Sequence, residues 1–578
     1  MLPNKLDFSR VTQLPSNTSC GLAVLDILQT GKSEYWSEAF LDAWFKIPSG
    51  IAGPTIKYPG AWDLCENINL PEFKSKYPAK YCDLHGNLVM ANISIVSMFE
   101  AEIGVCIPEE CPVQEVVDIF NSLFQRVSFP MVLSNETSFC HESQPSDRQN
   151  VWFYLSVSIV AFIGVIVTTA SIYDAYLIYK FTETYEGEKA DLAKAFKTYK
   201  HSRDVSVWSK ICLSFSFPQN YHSLINCPDM KIEIVDEKTG EKTLSGHPLG
   251  FLDALRVINL AWVVYSHVIV FSLSEINNSL PFYLSVYKNF SFSFLMNGFV
   301  SVDSLFYISG LLTFYITMPK FDRVKSFVNG IQFWLAYSIH RMLRLGPTAV
   351  LMVILYHGFV PFISRRALHS EKIMNIGVCN KYWFSIFLNN LIGSEKMCFP
   401  WYWYISNDIQ FNLILAPIFI MLYRWRRWAS LLYASLLTLT SIGAAFYLSI
   451  KSQYPIGVYA MTQQDYFDVV YVKPYTRMGA FTLGLITAQM IVTRPKLFKN
   501  FSIRKMLISW FGLFPLAGII MFATLFGTFG ITSLQYSVNL NVAALYNSVF
   551  HVTWCIGLSI ISYLVATTYL DCTFAPQP

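Results

Sequence analysis

The chain has 578 residues, of which 53% are hydrophobic and only 14% charged, whereas typical soluble domains carry roughly 25% charged residues. Several apolar runs of about twenty residues, each long enough to cross a bilayer as a helix, predict an all-α polytopic membrane protein. The formal net charge of +4 gives no basis for nucleic-acid binding. The informative feature of the charge is therefore its distribution among the loops, which sets the orientation of the spans.

The region before the first apolar run, residues 1–150, is rich in cysteine and in glycosylation sequons. The cysteines are Cys20, Cys65, Cys82, Cys106, Cys111 and Cys140, and the sequons begin at Asn17, Asn92 and Asn135. Together they predict a mainly helical, disulfide-rich domain in an oxidising compartment, with no metal centre. Sequence alone does not choose among the possible pairings. Because no apolar signal segment is present at the N-terminus, we expect that one has been lost from this chain.

The loops alternate in character along the rest of the chain. Basic residues after the first span, 151–173, predict that the linker 174–248 is cytosolic and that the N-terminal domain is lumenal or extracellular. The membrane domain follows at 249–569, with a tail at 570–578, and the chain has about nine spans in all. Later outer loops carry sequons at Asn277 and Asn289, and they carry Cys379 and Cys398, which we predict to form a disulfide. The pattern fits the plasma membrane or the endoplasmic reticulum.

The apolar segment 250–270 contains Arg256 and His267, which are 267 − 256 = 11 positions apart. At about 100° per residue, this separation returns to within roughly 20° of the same direction, and the helix rises about 16 Å. The two side chains therefore share one stripe. Since charges at membrane depth usually face a protein interior or cavity, the stripe predicts a site. The alternative is an arginine at the cytosolic end of the helix and a packed core histidine.

Other polar residues interrupt the later apolar segments: Asp303, Arg341, Arg344, Asn407, Asp408 and Arg477. Histidine suits proton transfer near neutral pH, and arginine suits phosphate. A cavity with His267 and several arginines near its cytosolic mouth would suit acyl-CoA, but a proton-coupled transporter could use the same residue types. Arg341 and Arg344 could instead be positive-inside anchors. Ser309 and Gly310 indicate close helix packing, and His551 is interpreted as a core histidine.

Five segments resemble the acyltransferase 3 family in order and spacing, over roughly residues 245–495. They are LRVINLAWVVYSH, SVDSLFYISGLL, HRMLRLGP, WYWYISNDIQFNLILAPI and YTRMGAFTLGL. The N-terminal segments AWFKIPSGI, GAWDLCENI, AKYCDL and IGVCIPEEC resemble the N-terminal domain of nose-resistant-to-fluoxetine proteins. Family members usually continue with further C-terminal spans, so we expect this chain to be C-terminally incomplete.

The resemblance implies an acyltransferase, for groups other than amino-acyl groups, that uses acyl-CoA as co-substrate and needs no metal. The acceptor would be a hydroxyl of a membrane lipid or other small molecule, and no protein partner is identified. His267 would act as general base and Asp303 would orient it. Donor phosphates would bind Arg256, Arg341 and Arg344, in a cavity whose other polar residues are Asn407, Asp408 and Arg477. The rival hypothesis is a lipid or xenobiotic transport protein that keeps the fold without turnover. A cysteine-rich receptor with a helical anchor would not explain the polar stripe.

Overall fold

The computed structural model describes residues 18–574 with gaps, of which those of four or more residues are 47–56, 89–100, 127–130, 142–150, 185–205, 226–230, 236–241, 276–281, 364–375, 383–386, 494–502 and 533–537. The N-terminal region contains helices α1 (Ser19–Thr30), α2 (Tyr35–Ala43), α3 (Trp62–Asn67) and α4 (Val113–Arg126). Its strands are β1 (Lys57–Tyr58), β2 (Ala79–Leu88), β3 (Ala101–Pro108), β4 (Met131–Leu133) and β5 (Phe139–Cys140).

A five-stranded sheet, which the helical patterns did not predict, lies at the centre of the N-terminal region. Its order is β1-β3-β2-β4, and β5 also pairs with β2. Every residue of β3 is buried, because helices cover the sheet and β3 lies between two neighbouring strands. The side chain of Trp44, which follows α2, donates a 2.6 Å hydrogen bond to the Cys106 carbonyl and so ties a helix to this strand.

All six cysteines of this region are paired, as predicted. The bonds are Cys20–Cys111, Cys65–Cys106 and Cys82–Cys140, and a fourth bond joins Cys379 to Cys398. The first two fix α1 and α3 to the chain around β3, and the third joins β2 to β5. The sequence identified the members of this framework, and the fold decided their connectivity.

The remainder of the described chain is helical apart from one hairpin, β6 (Lys231–Val235) with β7 (Lys242–Gly246). The long helices are α5 (Val151–Thr184), α8 (Phe251–Glu275), α10 (Val300–Phe321), α11 (Phe327–Ile363), α15 (Arg427–Lys451), α17 (Pro474–Thr493), α18 (Ile503–Phe526) and α20 (Leu540–Phe574). A further span runs through α13 (Trp403–Gln410), a π-helix (Phe411–Leu415) and α14 (Ala416–Trp425). The shorter helices are α6 (Val207–Leu213), α7 (Phe217–Ile225), α9 (Phe292–Met296), α12 (Ile376–Tyr382), α16 (Gln464–Tyr466) and α19 (Phe529–Thr532).

Within the described residues, eight helices are long and apolar enough to cross a membrane. They coincide with eight of the nine predicted spans. The remaining predicted span, α17, is also a helix, but its hydropathy is lower. Most of its residues, including Thr476, Arg477, Thr482 and Gln489, are nevertheless buried. Because neighbouring helices rather than lipid surround α17, its polar residues need partners in the protein and not an apolar surface.

The closest helix contact in the bundle is between α10 and α17. A Cβ atom on Gly310 would collide with the carbonyl oxygen of Phe481, and one on Gly484 would collide with that of Tyr307. The two glycines therefore allow the backbones to approach closely, as small residues do in membrane helix pairs. The packing role predicted for Gly310 is confirmed. This contact holds Asp303, on α10, next to Arg477, on α17.

Candidate functional site

A buried polar group of the helical bundle joins Asp303, Arg477 and His551. Arg477 donates from Nη1 to Asp303 Oδ1 at 3.1 Å, and a 2.5 Å hydrogen bond connects His551 Nδ1 to Asp303 Oδ2. Arg477 Nη1 also lies 2.9 Å from His551 Nδ1. The exposed fractions of these three residues are 0%, 1% and 6%, respectively. We call this set the buried triad; it connects α10, α17 and α20.

Aromatic rings and backbone carbonyls enclose the guanidinium of Arg477. Its carbon lies 4.2 Å from the centroid of the Tyr471 ring and 5.3 Å from that of Trp403. Its Nε donates to the Tyr471 carbonyl at 2.7 Å. An arginine at this depth is stable only with such partners, because an unpaired buried charge has a large desolvation cost. The buried triad therefore stabilises the helix arrangement.

A second polar group, here the Arg341 cluster, joins α11 to α10 and α13. Arg341 donates from Nη2 to Asp408 Oδ2 at 2.5 Å and to the Ser309 hydroxyl at 3.0 Å. Ser309 in turn donates to Asp408 Oδ1 at 2.5 Å, and Asn412 donates to the Asp408 carbonyl at 2.8 Å. Asn412 belongs to the π-helix that follows α13. Such π-helical turns frequently occur at functional sites.

Arg256, on α8, lies within electrostatic range of Tyr404, as do Asp408 and Arg341. Arg256 also forms a 2.9 Å ion pair with Asp253, in which both side chains are about half exposed or more, at 47% and 64%. Arg344, one turn beyond Arg341, is exposed. The structure thus pairs Arg341 with Asp408 and Arg256 with Asp253, and it leaves Arg344 outside the cluster.

His267 lies on the same exposed face of α8 as Arg256, which agrees with the predicted stripe. The predicted pairing of His267 with Asp303 in one cavity is wrong, because Asp303 is fully buried with Arg477 and His551. The reason is the orientation of α8. Trp262 donates to the Phe294 carbonyl at 3.1 Å and Ser266 donates to that of Leu295 at 3.3 Å, so a different face of the helix packs inward.

Asn407, Asp408 and Arg477 were expected to line one cavity, but they belong to separate hydrogen-bonded groups. Asn407 donates to the Val472 carbonyl at 2.8 Å and accepts from Asn390 at 2.6 Å. Consecutive helical residues point about 100° apart, which is why Asn407 and its neighbour Asp408 face different partners. The three residues therefore do not form one hydrogen-bonded set, and the cavity that they were expected to share stays a prediction.

Sequence reasoning missed three residues of these groups, His551, Ser309 and Asn412, the last of which was not singled out at all. His551 was interpreted as a core histidine and Ser309 as a packing residue, since each is a single polar residue in an apolar helix. His551 is indeed buried, but it bonds to a carboxylate on a distant helix. A set of related sequences in which the histidine of this helix always accompanies the aspartate at position 303 would have indicated that the two residues meet.

Two of the predicted glycosylation sites, Asn135 and Asn289, are exposed. The other three, Asn17, Asn92 and Asn277, lie outside the described residues.

Comparison with protein-family models matches residues 249–571 to an acyltransferase domain. Residues 20–120 match the N-terminal domain of nose resistant-to-fluoxetine protein. The first match includes every residue of the buried triad and of the Arg341 cluster. No solved structure matches the chain.

Three curated proteins are similar to the chain at low identity. "Nose resistant to fluoxetine protein 6" of Caenorhabditis elegans is 22% identical over 86% of this chain and 65% of its own length. "Regulator of hypoxia-inducible factor 1" of the same organism is 23% identical over 47% of this chain and 56% of its length. "Peptidoglycan O-acetyltransferase OatA" of Listeria monocytogenes is 25% identical over 33% of this chain and 32% of its length. The chain thus spans 65% or less of these relatives.

Proposed function

The chain belongs to the acyltransferase family whose domain model covers residues 249–571, and from this membership we propose that it is an integral membrane O-acyltransferase. In this proposal it moves an acyl group from acyl-CoA to a hydroxyl of a lipid or another small acceptor. The observation that carries the proposal is the stripe on α8, where His267 and Arg256 share an exposed face. The similarity to a protein named as an O-acetyltransferase supports the reaction class.

The proposed general base is His267. Its Nδ1 lies 2.8 Å from the Val263 carbonyl, and a proton on Nδ1 donated to that oxygen places the imidazole lone pair on Nε2. Nε2 accepts the proton of the acceptor hydroxyl while that oxygen attacks the thioester carbonyl carbon. The carbon–sulfur bond then breaks, and the leaving thiolate receives the proton from the imidazolium. The products are an ester and free CoA, and His267 is neutral again.

Arg256 and Arg344 are the proposed ligands of the donor phosphates, because both are exposed and a guanidinium can bind phosphate in a bidentate manner. The ion pair of Arg256 with Asp253 is solvent-exposed, so it is weak and a phosphate can replace the carboxylate. Arg341 is held by Asp408 and Ser309. We therefore assign Arg341 a positioning role, in which it fixes α11 and α13 beside the donor site.

The buried triad supports this site without contacting substrate in our proposal. Its side chains are nearly inaccessible, and the imidazole of His551 already bonds to Asp303. A general base must reach the acceptor hydroxyl directly or through one water molecule. We therefore assign proton transfer to His267 and not to His551.

The test is turnover by purified protein in lipid nanodiscs with radiolabelled acyl-CoA, followed by a search for acylated products. His267→Ala should lower the rate by about 10²- to 10⁴-fold, whereas Arg256→Lys should mainly raise the donor KM because the planar fork is lost. His222→Ala is the matched control, since His222 is an exposed histidine on α7. Full activity of His267→Ala would refute its role. Absence of turnover by the wild type, together with uptake of lipid or drug, would favour the transport hypothesis.

We also propose that the N-terminal domain is lumenal or extracellular. Its three disulfides suit an oxidising compartment, and the basic residues at 424–427 would then face the cytosol. Cleavage of the domain by protease added outside intact cells, or a shift in its mass after glycosidase treatment, supports this orientation. Cleavage of the domain by protease added outside intact microsomes, together with the absence of any glycan, would contradict it.

A further inference from the structure

An apolar groove lies between the end of α10, the start of α11 and α14, and no residue of either polar group lines it. Its volume is about 610 Å³, within the range of roughly 300–1,000 Å³ typical of small-molecule sites. Phe321, Trp334, Leu413 and Ile420 form part of its wall. The groove is thus large enough for an acyl chain, and none of the proposed transfer residues lines it.

The groove is basic at one end. Arg424 lines it, and the guanidinium carbon of Arg424 lies 5.5 Å from the centroid of the Phe321 ring. The flanking chain adds the exposed basic residues Lys320, Arg323, Arg426 and Arg427, against one exposed acid, Asp322. In the part of the chain that the structure describes, no carboxylate is paired with Arg424. This charge distribution is complementary to an anionic headgroup.

Two tryptophans lie where the apolar wall of the groove meets its polar surroundings. Trp425, at the basic end of the groove, is 68% exposed, and tryptophan is enriched where helices cross the headgroup region. Trp334 in the wall is 8% exposed, and its indole N–H has no hydrogen-bond partner among the described residues. A buried donor without a partner is costly, and an ester oxygen of a bound lipid would satisfy it.

We propose that this groove binds an anionic glycerophospholipid from the surrounding membrane. One acyl chain lies along the apolar wall, and the phosphate contacts Arg424 and the neighbouring basic residues. A neutral lipid would fill the same wall but would leave the cluster of positive charge uncompensated. The site is separate from the proposed transfer site, so this inference does not depend on the enzymatic activity.

The test uses purified full-length chain in phosphatidylcholine nanodiscs that contain a photoactivatable phosphatidic acid or the matching phosphatidylcholine. After irradiation, mass spectrometry measures labelling of peptides that cover 321–335 and 413–425. We expect stronger labelling by phosphatidic acid, and we expect Arg424→Gln to reduce it about fivefold, as for the loss of one basic residue at an anionic surface. Lys451→Gln is the matched control, because Lys451 is an exposed basic residue at the far end of α15 and does not line the groove.

A second variant tests the apolar part of the groove. A Cβ atom on Gly330 would lie 3.6 Å from the Phe321 ring, which is an ordinary contact, and the rest of the side chain in Gly330→Leu would extend into the groove that Gly330 lines. Its longer side chain should reduce labelling by both lipids. Equal labelling of the wild type by both lipids, or equal effects of Arg424→Gln and Lys451→Gln, would overturn the proposal. Displacement by long-chain acyl-CoA would also overturn it and would assign the groove to the acyl donor.

Discussion

Replacement of Asp303 by asparagine should strongly destabilise the helical bundle although the side chain keeps its shape. The substitution removes the charge that compensates Arg477, whose side chain is 0% exposed. Removal of one partner of a buried ion pair typically costs about 3–5 kcal/mol. Since about 1.36 kcal/mol is a factor of ten, opening of this region should become roughly 10²- to 10⁴-fold more frequent.

The thiol of Cys555 can report the opening of the region around Asp303. It is a buried free thiol, and its Sγ lies 3.7 Å from the Asp303 carbonyl oxygen. In a background where Cys212, Cys227 and Cys572 are replaced by serine, a thiol-reactive fluorophore will measure exposure of Cys555 alone. We expect Asp303→Asn to increase the rate of labelling and to lower the midpoint of thermal unfolding.

The double variant Asp303→Asn/Arg477→Met separates charge from packing. Because it removes the uncompensated cation, it should recover part of the lost stability. Asp408→Asn should cost less than Asp303→Asn, since Asp408 pairs with Arg341, whose side chain is 25% exposed. Labelling of Asp303→Asn at the wild-type rate would refute the reasoning, as would a double variant whose loss equals the sum of the single losses.

Three further predictions concern packing, pH and the disulfides. Gly484→Ala should lower the thermal midpoint because its Cβ would push α17 from α10, whereas Gly443→Ala, whose Cβ meets nothing within 4 Å, should not. Burial raises the pKa of the Tyr81 phenol above its ordinary value of 10.0. The protonated phenol therefore contributes its full stability below pH 10, and this contribution is lost as the pH rises further. Tyr81→Phe should reduce this loss of stability in unfolding curves recorded between about pH 9 and pH 11. Loss of the Cys82–Cys140 bond by double substitution to serine should cost about 2–5 kcal/mol, and unchanged protease resistance of the N-terminal region would contradict this estimate.

The sequence was sufficient for features that depend on local pattern. Length and hydropathy located the spans, because a helix in lipid needs a continuous apolar run. Helical periodicity placed Arg256 and His267 on one face of α8, as observed. Cysteines on one side of the inferred membrane were predicted to be paired, and they are. None of these inferences requires knowledge of which helices are neighbours.

Only the tertiary structure decided which distant residues meet. Asp303 bonds to Arg477 and His551, 174 and 248 positions away, and no local pattern encodes contacts over such separations. The orientation of α8 about its axis depended on Trp262 and Ser266 finding carbonyls near α9. That rotation turned His267 away from Asp303. The sequence determined which polar residues enter the membrane domain, but their pairing followed from helix packing, because each buried charge must find its partner among the helices that happen to surround it.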